Sequence, residues 1–108
     1  MASSIFTQII NRQLPATIRY EDEEVIAIND IHPQARTHVL VIWKEEIASL
    51  EQMRSDQIGR FYGKAMKIAQ QLGFSATGKG YRLSVHVGKP YQEIDHVHLH
   101  LMSDAVLS

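Results

Sequence analysis

Three histidines, His96, His98 and His100, alternate with apolar residues near the end of the chain. In an extended strand alternate side chains point to opposite faces, so the three imidazoles would share one face of a sheet. Consecutive histidines of this row would lie about 6.6 Å apart, twice the rise of about 3.3 Å per residue. The apolar residues among them would face a core: Val97, Leu99 and Leu101. A row with this spacing can bind one anionic group or one metal ion.

Two explanations of the histidine row involve no covalent chemistry. A solvated polar face accounts for three polar positions but not for the choice of histidine at each of them. A metal site accounts for that choice, because two or three histidines with a carboxylate suit zinc or iron. The neighbouring Asp95 has the opposite strand parity, so a carboxylate such as Glu93 or Asp30 would have to come from elsewhere.

Nucleophilic catalysis at phosphorus is the third explanation, and the sequence favours it. A neutral imidazole is a good nucleophile near pH 7, because its reference pKa is about 6.5. Phosphoryl and nucleotidyl transfer also needs positive charge around the phosphate oxygens. Neighbouring histidines and backbone N–H groups can supply it, so one row could hold both the nucleophile and its electrostatic support.

Composition limits the classes of protein to which the chain can belong. Its 108 residues, with 44% hydrophobic and 21% charged, suit a single domain over residues 1–108. The net charge is -1 and no basic tract is present, which argues against a nucleic-acid partner. The lack of cysteine excludes Cys-based zinc sites and fits a cytoplasmic location. We expect no signal peptide and no membrane partner, because the longest apolar run, 39–43, cannot span a bilayer.

Local patterns predict an α+β fold. The spacing predicts a short helix capped by Ser4, a helical turn at 49–53, and a long helix that begins at an N-cap Ser55 and ends before Gly73. Strands are predicted at 16–20, 24–29, 38–43, 81–87 and 96–102. This order favours a five-stranded antiparallel sheet with the long helix on one face. The apolar stripe of that helix would cover the sheet: Ile58, Phe61, Ala65, Ile68 and Leu72. The histidine face would be open, or covered by a partner or ligand.

Three segments in order resemble one known family, the histidine triad (HIT) nucleotide hydrolases and transferases. The opening segment contains Ile5-Phe6, Leu14-Pro15-Ala16 and Tyr20-Glu21-Asp22. The central strand, loop and strand follow at 29–35 and 37–42, and the final segment, 96–102, fits the His-x-His-x-His signature with apolar residues at each x. The resemblance spans nearly the whole chain and implies a HIT-like fold.

The resemblance also implies a role for each matched residue. His98 would attack the α-phosphate of a nucleotide and form a nucleotidyl-histidine intermediate, which water or an acceptor then cleaves. His100 would contact the α-phosphate oxygens, and His96 would orient the nucleophile largely through its backbone carbonyl. His38 would lie near the leaving group, and Asp30 would bind the ribose hydroxyls. The slot for the base would be apolar: Ile9, Ile28, Ile31 and Leu40.

The chain departs from the family pattern on the leaving-group side. His86 stands where an Asn is common, and Gln92-Glu93 stands where a Gln-Ser pair usually precedes the triad. A carboxylate near a phosphate is repulsive unless it is protonated or paired, although His86 could offset it as an added cation. The usual Gly-Gly-Arg after the triad is replaced by the segment 103–105 (SDA). Ser4 and Thr7 replace a Cys-x-x-Cys zinc pair of some bacterial members, so we expect no metal there.

The sequence therefore predicts a purine nucleoside phosphoramidate hydrolase that uses no cofactor. The resemblance implies a homodimer with one continuous sheet, joined through the long helix and the strand 81–87. A nucleotide-binding regulatory module with negligible turnover is the alternative from another class. A dinucleoside polyphosphate hydrolase is a further alternative, but that branch generally has a longer loop ahead of the triad and a longer tail.

Overall fold

The computed structural model describes residues 3–107 and shows the predicted order of helix, three strands, helix and two strands. Its elements are α1 (Ile5–Ile10), β1 (Ile18–Glu21), β2 (Val25–Asn29), β3 (Thr37–Trp43), a 3-10 turn (Leu50–Gln52), α2 (Ser55–Gln71), β4 (Arg82–Ser84) and β5 (His98–Ser103). The strands form one antiparallel sheet in the order β1-β2-β3-β5-β4. Because β5 lies between β3 and β4, the histidine strand is paired on both sides. Within residues 3–107, no helix is long and apolar enough to cross a membrane.

One face of the sheet packs on α2, as the apolar spacing predicts. Leu99 and Leu101 of β5 are fully buried in a cluster with Phe61, Ala65 and Ile68 of the helix. Burial of each large apolar side chain contributes about 1.5–3 kcal/mol, so this cluster supplies much of the stability of the fold. With the apolar residues of β5 turned toward α2, the histidines must face the other side.

The histidine face is not open over its whole width, and this part of the expectation is wrong. Helix α1 covers the β2–β3 half, because Phe6 and Ile9 pack there in a second buried cluster. The strand members of that cluster are Ile26, Ile28, Leu40 and Ile42. The chain therefore covers part of the face with its own first helix, and the uncovered part lies toward β4.

Two predicted strands are shorter than the sequence suggested. The strand predicted at 81–87 pairs only over Arg82–Ser84, and the one predicted from residue 96 begins at His98. Alternation of apolar residues continues past both boundaries, but the regular ladder does not, although the Val97 carbonyl still accepts from the Trp43 N–H at 3.4 Å. The N–H of His96 donates to the carbonyl of Ile94, and that of Val97 donates to Ile47. These two N–H groups are thus bonded outside the sheet ladder, and the contact of the His96 ring with the Trp43 carbonyl places it at the end of β3.

The long helix begins one residue earlier than predicted. Arg54, not Ser55, is the N-cap residue, because the side chain of Gln57 accepts a hydrogen bond from the Arg54 N–H at 2.8 Å. The predicted end is confirmed: Leu72 is the C-cap, and Gly73 follows with a φ of 104°. This left-handed conformation explains the glycine.

Candidate active site

Register places three histidines on one face of the sheet, and the loop after β4 adds a fourth. In the β3–β5 pair, His38 lies opposite Met102 and Leu40 lies opposite His100, so His38 and His100 point to the same side. The ring centroid of His100 is 5.1 Å from that of His98 and 5.2 Å from that of His38. His86, beyond the end of β4, stacks on His100 with a centroid distance of 4.7 Å. The two strands and the loop after β4 thus bring these imidazoles into contact.

The ring of His98 is oriented for attack by one nitrogen. Its Nδ1 lies 2.8 Å from the backbone carbonyl of His96, the contact that the resemblance implied. Because a carbonyl oxygen only accepts, Nδ1 carries the proton and Nε2 keeps its lone pair. Burial lowers the pKa of His98, so the ring is neutral near pH 7. A neutral imidazole with a free Nε2 is a competent nucleophile.

His38 and His100 form a chain of hydrogen bonds that begins at the backbone of Gln34. The N–H of Gln34 donates to Nδ1 of His38 at 3.1 Å, so His38 carries its proton on Nε2. That Nε2 lies 3.0 Å from Nδ1 of His100 and donates to it. The Nε2–H of His100 is then free to donate to a phosphate oxygen. Burial, followed by repulsion from His98, lowers the pKa of His100 to about 4.

Asp30 completes a group that resembles a metal-ligand set. Ligand atoms of Asp30, His38 and His100 all lie within 4.8 Å of one another. Nevertheless, the proton on Nε2 of His38 points into this group, because Nδ1 accepts from Gln34. A ligating imidazole normally donates through its other nitrogen, so this hydrogen bonding favours a proton chain over a metal ion.

A solvated polar face is the wrong explanation of the row. His96 is 0% exposed and His98 is 8% exposed, and each makes specific hydrogen bonds. Burial of a polar group without a partner is costly, so these histidines depend on their protein hydrogen-bond partners and not on solvent.

The residues expected to hold the base are only partly brought together. Ile9, Ile28 and Leu40 pack in one cluster beneath α1, beside the histidines. Ile31 lies on the loop after β2, is 84% exposed and is not part of that cluster. Asp30 lies at the start of the same loop, where Oδ1 accepts from the His32 N–H at 2.8 Å and Oδ2 is 3.4 Å from Nε2 of His38.

The two residues expected ahead of the triad differ in environment. Gln92 is 2% exposed, and its amide accepts from the Gly88 N–H and donates to the carbonyls of Ala48 and Ile94. All these partners are backbone groups, so this amide shapes the loop before the triad. Glu93 is exposed, and within residues 3–107 its carboxylate makes no hydrogen bond or ion pair.

Sequence reasoning missed several residues that surround the histidines. Phe6 of α1 meets the rings of His96 and His98 edge-on, with centroid distances of 5.8 and 4.9 Å. Phe6 belongs to the opening segment of the family resemblance, but nothing in the sequence pattern indicated that it would contact the histidines. Gln34 has no such signal, because it acts through its backbone N–H.

Comparison with known proteins identifies the family. A family model described as the HIT domain matches residues 11–105. The chain belongs to the HIT family. It is 38% identical over 103 residues to the purine nucleoside phosphoramidase of Escherichia coli (strain K12), covering 92% of this chain and 85% of the relative. The HIT-like fold and a hydrolase are therefore confirmed.

Solved structures agree with the family assignment. A HIT family hydrolase from Clostridium thermocellum superposes with a TM-score of 0.86 at 38% identity, covering 100% of this chain and 96% of that chain. A Zn-bound histidine triad family protein from Mycobacterium smegmatis superposes with a TM-score of 0.82 at 29% identity, covering 95% of this chain and 76% of that chain. A zinc-bound member of the family thus has the same fold as this chain.

Proposed function

We propose that this HIT hydrolase cleaves purine nucleoside 5′-phosphoramidates through a nucleotidyl-histidine intermediate on His98. The observation that carries the proposal is the hydrogen bond of 2.8 Å between Nδ1 of His98 and the carbonyl of His96. It leaves the lone pair of a neutral, buried imidazole at Nε2, facing the uncovered side of the sheet. The relative from Escherichia coli, a purine nucleoside phosphoramidase, supports the same substrate class.

The reaction proceeds in two steps of displacement at phosphorus. Nε2 of His98 attacks the α-phosphorus, the P–N bond breaks, and the departing amine takes up one proton. Exposed His86 beside His100 connects this side of the cluster with solvent and can deliver that proton. Water then attacks the phosphorus, the bond to His98 breaks, and a nucleoside 5′-monophosphate is released. The Nε2–H of His100 holds a phosphate oxygen in both steps.

The nucleoside lies on the α1 side of the histidine row in this proposal. In this proposal the base packs against the small exposed fractions of Ile9, Ile28 and Leu40, which are 8%, 4% and 8% exposed. Asp30, at the end of the neighbouring strand, accepts hydrogen bonds from the ribose hydroxyls. An apolar slot of this kind discriminates only weakly between adenine and guanine, so adenosine and guanosine substrates should both react.

The proposed assembly is a homodimer with a continuous sheet. Strand β4 is an edge strand of only three residues, which offers unpaired backbone groups to a second copy. The outer face of α2 exposes Met66, together with Gly59 and Gly63, which allow close approach of another chain. Both elements belong to the surface that the family resemblance implied.

Intact-mass spectrometry after rapid mixing with adenosine 5′-phosphoramidate tests the proposed reaction. The native protein should gain one adenylyl group and release AMP, and His98→Ala should do neither. His32→Ala is the matched control, because His32 is an exposed histidine on a loop outside the cluster. An adduct that persists in His98→Ala would contradict the assignment of the nucleophile.

Two other outcomes would replace the proposed function. Binding of the nucleotide by calorimetry without adduct or AMP would identify a regulatory module, which the departures at His86 and Glu93 keep as the second candidate. Faster turnover of a dinucleoside polyphosphate than of the phosphoramidate would identify the other enzyme class.

A further inference from the structure

A hydrogen-bonded cluster at the start of α1 surrounds the ring of His96. Ser4, the N-cap residue, places its Oγ 2.6 Å from Nδ1 of His96 and accepts from the Thr7 N–H at 3.0 Å. The hydroxyl of Thr7 donates to Oε1 of Glu46 at 2.6 Å. The same Oε1 accepts from the Ser4 N–H at 2.9 Å. Ser4, Thr7 and Glu46 thus form one closed group, called here the N-cap cluster.

The bonds of His96 determine which partner supplies each proton. Nε2 lies 2.6 Å from the carbonyl of Trp43, which only accepts, so Nε2 carries the ring proton. Nδ1 is then the acceptor, and the Ser4 hydroxyl at 2.6 Å is the donor, because the Thr7 hydroxyl, 3.4 Å from Nδ1, donates its proton to Glu46. The ring is 0% exposed, and burial lowers the pKa of His96, so it is held as a neutral tautomer. Both ring nitrogens are satisfied within the protein.

His96 connects this cluster to the nucleophile. Its backbone carbonyl accepts from Nδ1 of His98, so a displacement of His96 displaces or frees the attacking ring. Phe6, two residues after Ser4, packs edge-on against both rings and adds a second connection from the same helix. Ser4 is therefore linked to the His98 ring through two successive hydrogen bonds and Glu46 through three, although neither faces the substrate.

We infer that the N-cap cluster positions the nucleophile, with Ser4 and Glu46 as positioning residues for His98. The inference rests on the proposed function. Ser4 holds the His96 ring in place by donating to Nδ1, and Glu46 fixes Ser4 and Thr7 by accepting from both. In the family resemblance, positions 4 and 7 carry a cysteine pair for zinc in some bacterial members. Here two hydroxyls and a carboxylate make the connection to His96 by hydrogen bonds alone.

A role limited to stability would give a different result. The Glu46 side chain is 45% exposed, and exposed carboxylates of this kind contribute little to stability. At an N-cap, replacement by Gly costs only a few tenths of a kcal/mol, so Ser4→Gly removes the hydroxyl while keeping the helix start. Ser4→Thr keeps a hydroxyl at the same place. Comparison of Ser4→Gly with Ser4→Thr therefore distinguishes the role of the hydroxyl as donor to His96 from the role of residue 4 as the N-cap of α1.

Single-turnover adenylylation by adenosine 5′-phosphoramidate is the test. A misplacement of about 1 Å costs on the order of 100-fold in rate, so Ser4→Gly should lower the rate of adduct formation by about 10- to 100-fold. KM should stay within about 2-fold, since the nucleoside contacts are unchanged. Ser4→Thr should restore most of the rate, and Glu46→Gln should lower it less than Ser4→Gly. Glu51→Gln, an exposed carboxylate in the 3-10 turn, is the control and should react like the native protein.

NMR of the histidine rings measures the positioning role without requiring the reaction. Nitrogen-15 NMR of the imidazoles should show Nε2–H at His96 and Nδ1–H at His98 in the native protein. In Ser4→Gly the Nδ1 resonance of His96 should shift because that nitrogen loses its donor, and the Nδ1–H of His98 should exchange faster with solvent. An unchanged adduct rate in Ser4→Gly, or an equal loss in Ser4→Thr, would overturn the inference. If the native protein forms no adduct, the proposed function fails. An unchanged exchange rate of the His98 Nδ1–H in Ser4→Gly would then overturn the positioning role independently.

Discussion

Acidification should destabilise this protein through His100. The pKa of His100 is lowered from 6.5 to about 4 by burial and then by repulsion from His98. Between these two values the unfolded chain binds a proton that the folded chain does not. Stability is therefore complete above the unfolded pKa and falls as the pH decreases toward the folded pKa. At about 1.4 kcal/mol per pH unit, this one residue lowers the free energy of unfolding by about 3 kcal/mol between the unfolded and the folded pKa.

Urea unfolding at pH 7, 6, 5 and 4.5 measures this effect. Trp43, the single tryptophan, is 3% exposed and reports unfolding by fluorescence. His100→Gln cannot be protonated, so its stability relative to the native protein should rise by about 2–3 kcal/mol between pH 7 and 4.5. Protein concentration is held constant, because association would add to stability. His32→Gln, which replaces an exposed loop histidine, is the matched control.

Parallel pH profiles for the native protein and His100→Gln would refute the reasoning. Some acid sensitivity should remain in the variant, because burial also lowers the pKa of His96 and of His98. An NMR titration of the ring C–H resonances provides a direct check. A midpoint for His100 near 6.5 would show that the ring is not held neutral by its surroundings.

Three further predictions concern α2, the loop before the triad and the end of the long helix. Gly59→Ala and Gly63→Ala should each stabilise an isolated chain by up to about 1 kcal/mol in thermal unfolding, since a Cβ there meets nothing within 4 Å. Weaker association of either variant in light scattering would instead place this face of α2 in the proposed dimer interface. Gln92→Leu should cost about 1–3 kcal/mol in urea unfolding, because it leaves buried backbone groups without partners; an unchanged midpoint would contradict that role. Gly73→Ala should cost about 1–2 kcal/mol in the same assay, because its φ is 104° and Leu107 lies 3.3 Å from the added Cβ; a neutral effect would show that the turn relaxes.

Local pattern was sufficient for much of the fold. The two-residue period in 96–102 determined that Leu99 and Leu101 face the core and that His98 and His100 face the other side. The spacing of apolar residues determined α2, and Gly73 determined its end. These features depend on the periods of helix and strand and on backbone sterics, which short stretches of sequence carry. The same pattern could not show where pairing stops, so the strand predicted at 81–87 was too long.

Tertiary structure alone decided how the histidines work. Nε2 of His38 lies 3.0 Å from Nδ1 of His100 across 62 positions of sequence, and Ser4 lies 2.6 Å from His96 across 92. Such distances depend on strand register and on the docking of α1, which have no local signature. The tautomers depend on them in turn, because the Gln34 N–H and the His96 carbonyl determine which nitrogen holds each proton. The sequence by itself determined which residues could react, and only packing decided which nitrogen of His98 is free to do so.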